Sequence, residues 1–204
     1  MKILEIQLQT HRLDELRRFY RETLGFSIIR DNKRSFILQA GASKIRFEKA
    51  DADDEPFYHF AFNIPENQLA DAKQWLSSRV KLISQDGREE FQFASWNADS
   101  IYFYDPAGNI VEFIARHNLK NASDAPFSGD SILCISEIGH PVDNVRLFSE
   151  HIRRELQLKL WDGDEHKFAA VGDEEGLFII VEKERPWFPV NKPAEDYPLS
   201  VDVG

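Results

Sequence analysis

The sequence predicts an α+β fold built from a repeated unit of one strand, one helix and three strands, the βαβββ order. Three observations carry this prediction. The order recurs three times along the 204 residues. The first and third copies overlay without a gap, so that Glu5-Ile6 falls on Glu137-Ile138, Leu24 on Leu156 and Phe26 on Leu158. Self-similarity at a long period marks repeated supersecondary units. Within each copy, alternating apolar runs bracket one stretch with apolar residues at helical spacing.

The first copy opens with "ILEIQLQT", which alternates as a strand does. In "HRLDELRRFYRETLGF", Leu13, Leu16, Phe19, Tyr20 and Leu24 form one apolar helical stripe, and Gly25 stands where the helix stops. "SIIRD", "SFILQA" and "SKIRFEKA" follow as three short strands, turned at "NKR" and "GA". The second copy begins with the strand "FYHFAFNI". Its helix, "PENQLADAKQWLSSR", is opened by Pro65 and has acidic and amide residues in its first turn. "VKLISQ", "SIYFYD" and "NIVEFIAR" are its expected strands, the last two joined by Asp105-Pro106-Ala107-Gly108. Residues 117–130 are polar, with Pro and Gly, and read as a linker. The third copy runs through "ILCISEIGH", the helix "NVRLFSEHIRREL", and the strands "LKLWD", "HKFAAVG" and "GLFIIVEK". "DYPLSVDVG", residues 196–204, reads as the first strand of a truncated fourth module. The expected domains are therefore 1–116, made of modules 1–50 and 56–116, and 131–204 beyond the linker.

Composition narrows the function. The chain is 42 % hydrophobic with 16 Phe and 4 Trp, enough for an aromatic core, and its formal net charge is −10. An acidic chain argues against nucleic acid as the main partner, because phosphate binding needs clustered Lys and Arg. No apolar stretch approaches the roughly 20 residues that cross a bilayer, and "MKILEIQLQTH" lacks the features of a signal peptide. Cys134 is the only cysteine, so no intrachain disulfide forms, and a cytoplasmic location is expected. Cys134 itself reads as a small buried hydrophobe.

His59 is the polar residue to explain in "EPFYHFAFNI". Strand alternation points Phe57, His59 and Ala61 one way and Tyr58, Phe60 and Phe62 the other. It is a core histidine satisfied locally, or a ligand or base facing a cavity. Glu112 raises the same question in "NIVEFIAR", because a carboxylate in an apolar strand needs a partner.

Three segments occur in order at matching places of the first two modules: "LRRFYRETLGF" (16–26), "YHFAFNIP" (58–65) and "IYFYDPAGNIVEFIAR" (101–116). On them, residues 1–116 resemble the vicinal-oxygen-chelate superfamily of glyoxalase I, bleomycin- and fosfomycin-resistance proteins and extradiol dioxygenases. The weaker third module extends the likeness to about residue 183. The resemblance implies that modules 1 and 2 wrap into one open barrel-like cup, with metal ligands on the first and last strand of each module. It places Glu5 and His59 at the first-strand positions and Glu112 at the last-strand position of module 2, where Glu112 is also the candidate catalytic carboxylate. Arg46 or, two residues on, Glu48 takes the last-strand position of module 1. The implied cofactor is a divalent ion (Zn, Mn, Fe, Ni or Co) held by Glu5, His59 and Glu112. The implied substrate is a small molecule with adjacent oxygens.

Several alternatives belong beside this reading. Glu5 can instead pair with Arg46 or bond to His59, leaving a metal-free cup lined by Phe, Tyr and Trp that binds a small aromatic or cationic compound. A structural or regulatory dimer that merely reuses the fold is a third class. Trp96 and Asn97, in the long connection before the last hairpin of module 2, are candidates for the mouth of the cup. Trp187 and Phe188, in "RPWFP", suit a cap on the third module, a cover for a sheet edge, or an oligomer contact. Glu137 reads as structural. Half a cup leaves apolar faces and edges, so the third module is expected to cover the first barrel, with the tail added as a strand; a homodimer is the other way to cover it.

Overall fold

The computed structural model describes residues 1–50 and 55–204. Each copy of the repeat folds as a four-stranded unit. The first comprises β1 (Ile3–Thr10), α1 (Leu13–Arg18, continued by a π turn over Phe19–Thr23), β2 (Ile28–Asp31), β3 (Ser35–Ala40) and β4 (Ser43–Lys49). Gly25 follows the helix at φ 69°, the left-handed value a glycine adopts without strain. The second comprises β5 (His59–Ile64), α2 (Leu69–Ser77), β6 (Glu90–Phe93), β7 (Ala98–Tyr104) and β8 (Ile110–Arg116). The third comprises β9 (Cys134–Val142), α3 (Val145–Glu155), β10 (Leu160–Gly163), β11 (Phe168–Asp173) and β12 (Gly176–Glu182), and the tail forms β13 (Leu199–Val203). This is a mixed α+β architecture with a curved, open sheet. Among the described residues no helix is long and apolar enough to cross a membrane.

In every unit the first and last strands lie side by side and parallel: β1 on β4, β5 on β8 and β9 on β12. One face of these pairs turns to the helices. Ile6, Leu8, Phe36, Phe47, Phe60, Phe62 and Phe113 fill that face together with Leu16 and Tyr20 of the first helical segment. The Tyr20 hydroxyl reaches across to the second unit and donates to Asp105 at 2.8 Å. Asp105 also accepts from the backbone N–H of Ala107 (2.9 Å) and Asn109 (3.1 Å), while Asn109 accepts from the Tyr58 N–H at 2.8 Å. The "DPAGN" turn, with Asp105 and Asn109 buried, thus joins the units. Burial pushes the Asp105 carboxyl up to about 6 in spite of these donors.

The pairing of units differs from the expected cup of modules 1 and 2. β9 of the third unit runs antiparallel on β5, with Phe60 opposite Ile138 and Ala61 opposite Glu137. β1 meets β9 only where Ile3 faces Ile135. Its remaining length is taken by β13, from Ile3 opposite Val203 to Leu8 opposite Leu199. The tail therefore adds as a strand, as its alternation suggests. The third unit completes the cup of the second instead of covering the first. The connection after β8 explains this. It is pinned beside α2, where Gln68 donates to the carbonyls of Ser123 and Ala125, and Leu133 N–H then bonds to the Asn63 carbonyl, delivering β9 to the free edge of β5.

One expected strand also moves. "VKLISQ" makes only single bridges, Leu82 to Phe103 and Gln85 to Arg88. Asp86 and Gly87, both at positive φ, turn the chain there, and the extended run resumes at Glu90.

Candidate metal centre

The cup of the second and third units holds an open-mouthed cavity of about 310 Å³. His59, Glu112 and Glu137 meet at its polar end, each contributing one ligand-type atom within 4.8 Å of the others. All three are buried. Their meeting follows from strand alternation and register. His59 faces inward from β5, and Glu112 lies on the adjacent β8, opposite Ala61. Glu137 lies opposite Ala61 from the other side, on β9.

Each member is held by a fixed partner. His59 Nδ1 lies 3.0 Å from the Ile110 carbonyl oxygen. A carbonyl only accepts, so Nδ1 carries the proton and Nε2 presents a lone pair, 3.6 Å from Glu112 Oε2. Burial lowers the His59 pKa to about 4, keeping the ring neutral. Glu112 Oε1 accepts from the Ser100 hydroxyl at 2.5 Å. Burial first, and the neighbouring Glu137 charge second, push the Glu112 pKa up to about 8, with the Ser100 and Tyr102 hydroxyls acting the other way. Glu137 is ion-paired with Arg116, whose Nε also donates to Ser136 at 3.0 Å. Arg116 is fully buried, and among the described residues its Nη1 has no hydrogen-bond partner. Desolvation raises the Glu137 pKa, and Arg116 opposes that rise.

This donor set fits a divalent ion. With Glu137 neutralised by Arg116, two acceptors confront each other: the His59 Nε2 lone pair and the Glu112 carboxylate. Such a pair is stable only with a positive charge between or upon it, either a proton on Glu112 or a cation. A histidine whose second nitrogen is tied to a backbone carbonyl is oriented as metal-ligating histidines are. One imidazole and two carboxylates suit a borderline metal of the zinc, manganese or iron kind.

The expected ligands are partly brought together. His59 and Glu112 converge, whereas Glu5 does not join them. It receives a 3.0 Å ion pair from Arg46 Nε on the sheet of the first unit. Gln7 faces Arg46 as Ala61 faces Glu112, so Arg46, and not Glu48, holds the last-strand position there. Both lie on the first unit, outside the cavity wall. The third-unit counterpart of Glu112 is Ile179, which has no donor atom to offer. Trp96 lines the cavity, and its Nε1 donates to Asp162 at 2.6 Å. Asn97, at φ 47°, instead ties down the linker by donating to Asn118 at 2.8 Å. Trp187 and Phe188 wall the cavity. The Trp187 ring sits 5.0 Å from the His59 ring, over Gly139, where a Cβ would come within 2.6 Å of the indole.

Glu137 and Arg116 are the site residues that sequence reasoning missed. A signal existed for Glu137, because the ungapped overlay sets it at the position of Glu5. Nothing in the strand "NIVEFIAR" distinguished Arg116 from a surface arginine at a strand end.

The family described as Glyoxalase/Bleomycin resistance protein/Dioxygenase superfamily matches residues 2–113. A glyoxalase I mutant from Zea mays superposes with a TM-score of 0.60 at 17 % identity, covering 95 % of this chain and 70 % of that one. Zea mays glyoxalase I itself gives 0.58 at 18 %, covering 89 % and 66 %. A lactoylglutathione lyase from Agrobacterium tumefaciens gives 0.44 at 21 %, covering 54 % and 90 %. The two Zea mays likenesses show the fold. No curated protein sequence matches the chain.

Proposed function

Since the chain belongs to the glyoxalase/bleomycin resistance protein/dioxygenase superfamily, we propose that it is a divalent-metal-dependent enzyme acting on a small molecule with adjacent oxygens. His59, Glu112 and Glu137 are the proposed metal-holding residues. The observation that carries this reading is the convergence of these three buried side chains at the end of an open-mouthed cavity.

A bound divalent ion supplies Lewis acidity and open positions for substrate oxygens. The chain's own residues do the rest. The Ile110 carbonyl fixes the His59 tautomer, Ser100 holds Glu112, and Arg116 fixes the direction of Glu137. The buried Trp187 keeps water from one wall, and the low dielectric around the buried Glu112 and Glu137 strengthens their interaction with any cation. Glu112, able to hold a proton near neutral pH, is the proposed acid–base residue.

Elemental analysis of protein purified without chelators tests the reading. Bound metal is expected in the native chain and its loss in His59→Ala. A native protein that arrives metal-free and takes up none of the zinc, manganese, iron, cobalt or nickel offered overturns it.

A second reading, a metal-free binding protein with an aromatic cup, is favoured by one observation: Arg116 already neutralises one of the two carboxylates. Tight binding of a small aromatic compound to chelator-treated protein, with no gain on adding metal, selects it.

A further inference from the structure

Arg185 lines the cavity, half-buried, beside Trp187 and Phe188. Its guanidinium carbon lies 5.4 Å from the centre of the Phe168 ring. Among the described residues it forms no ion pair. The other charges of the cavity are engaged. Glu137 is held by Arg116, Glu112 by Ser100, and Asp162 by the Trp96 indole. A guanidinium that no acidic side chain engages offers its planar N–H edge, which matches a carboxylate two bonds at a time.

The segment that carries Arg185 is held in place. The Arg185 carbonyl accepts from Ala194 N–H at 2.9 Å, and Trp187 N–H bonds to the Lys192 carbonyl at 2.9 Å. Trp187 is 4 % exposed and seated over Gly139. The cation is therefore positioned at the cavity wall. The rest of that wall is largely aromatic: Phe93, Trp96, Tyr102, Phe168, Trp187 and Phe188. Its volume of about 310 Å³ lies at the lower end of the ~300–1,000 Å³ range of small-molecule sites.

We propose that Arg185 is a substrate-recognition residue and that the cavity takes a small aromatic molecule bearing a carboxylate, with the ring against the aromatic wall and the anion on the Arg185 edge. The proposal rests on the reading of this cavity as a small-molecule site, and it holds with or without a metal at the other end.

Phenylacetate and its neutral isostere phenylacetamide are the probes, titrated by calorimetry and by tryptophan fluorescence into chelator-treated and metal-loaded protein. The native chain is expected to bind phenylacetate at least tenfold more tightly than phenylacetamide. In Arg185→Gln that preference disappears while the amide binds as before, and Arg185→Lys retains part of it. Melting curves check that the variants fold. Equal affinity for the two probes, a preference that survives Arg185→Gln, or failure of both probes to bind at millimolar concentration overturns the proposal. The outcome is separable from the metal reading. A charge preference in protein that takes up no metal leaves Arg185 standing and removes the metal. Metal uptake without the preference does the reverse.

Discussion

Glu137 and Glu5 occupy the same position of the repeated unit, and each is paired with an arginine, yet the two pairs differ in environment. The Arg116–Glu137 side chains are 0 % and 5 % exposed. The Arg46–Glu5 side chains are 23 % and 26 % exposed. The difference arises from what faces each sheet. β5 is matched by β9 of a complete unit, and the segment with Trp187 closes the cup over it. β1 is matched along most of its length by β13, whose residues Ser200 and Asp202 are exposed. A strand position becomes a candidate site when a second unit, continuing the curved sheet around it, removes its water, because only then do charge and lone-pair interactions become strong.

The largest expected effect follows from removing the buried arginine. Arg116→Met strands the Glu137 carboxylate in an apolar cup and lowers the free energy of unfolding by ~3–5 kcal/mol, read by urea titration. A loss below 1 kcal/mol would mean that water reaches Glu137 and that the two environments are alike.

Metal addition comes next. At a free concentration of 100 times its dissociation constant, zinc or manganese raises stability by about 2.7 kcal/mol through mass action. Glu5→Ala keeps this gain and His59→Ala loses it, so the thermal shifts of the two variants locate the metal in one half of the molecule. Loss of the gain in Glu5→Ala would move the site to the first unit.

A pH profile of chelator-treated protein sharpens the contrast further. Glu112 is raised from 4.5 to about 8 in the folded chain, so the folded state keeps a proton that the unfolded state has released, and stability falls as pH rises through that interval. His59 is lowered from 6.5 to about 4, so its contribution is lost as pH falls below 6.5. The two oppose each other between 4.5 and 6.5. Above 6.5 Glu112 acts without His59, and a decline on the order of 1–2 kcal/mol is expected between pH 6.5 and 8. Glu112→Gln abolishes it. Metal binding, which competes with the same proton, strengthens over that interval. A flat profile would show that Glu112 is already ionised.

The smallest effect belongs to the open pair. Arg46→Met changes stability by no more than ~1 kcal/mol, because an ion pair about a quarter exposed is screened by water. A loss comparable to that of Arg116→Met would break the comparison outright.

The sequence by itself determined the elements and their faces. Alternation in "FYHFAFNI" turned His59 away from Phe60 and Phe62, and the structure places those phenylalanines with the helices and His59 in the cavity. The same logic located Glu112 in β8, the stop at Gly25 and the strand in "PLSVDV". These features are local: a period of two or 3.6 and a few turn residues carry them. "VKLISQ" did not form the expected strand because the turn at Asp86-Gly87, directly after it, ended its extended run. Only the tertiary structure decided which strands share a cup. The edges that join units are made by backbone N–H and carbonyl groups, which are alike in β1, β5 and β9, so side-chain pattern alone could not choose between Glu5 and Glu137 as the partner of His59. Burial of Arg116 was likewise invisible in the chain, because it depends on the third unit docking against the second.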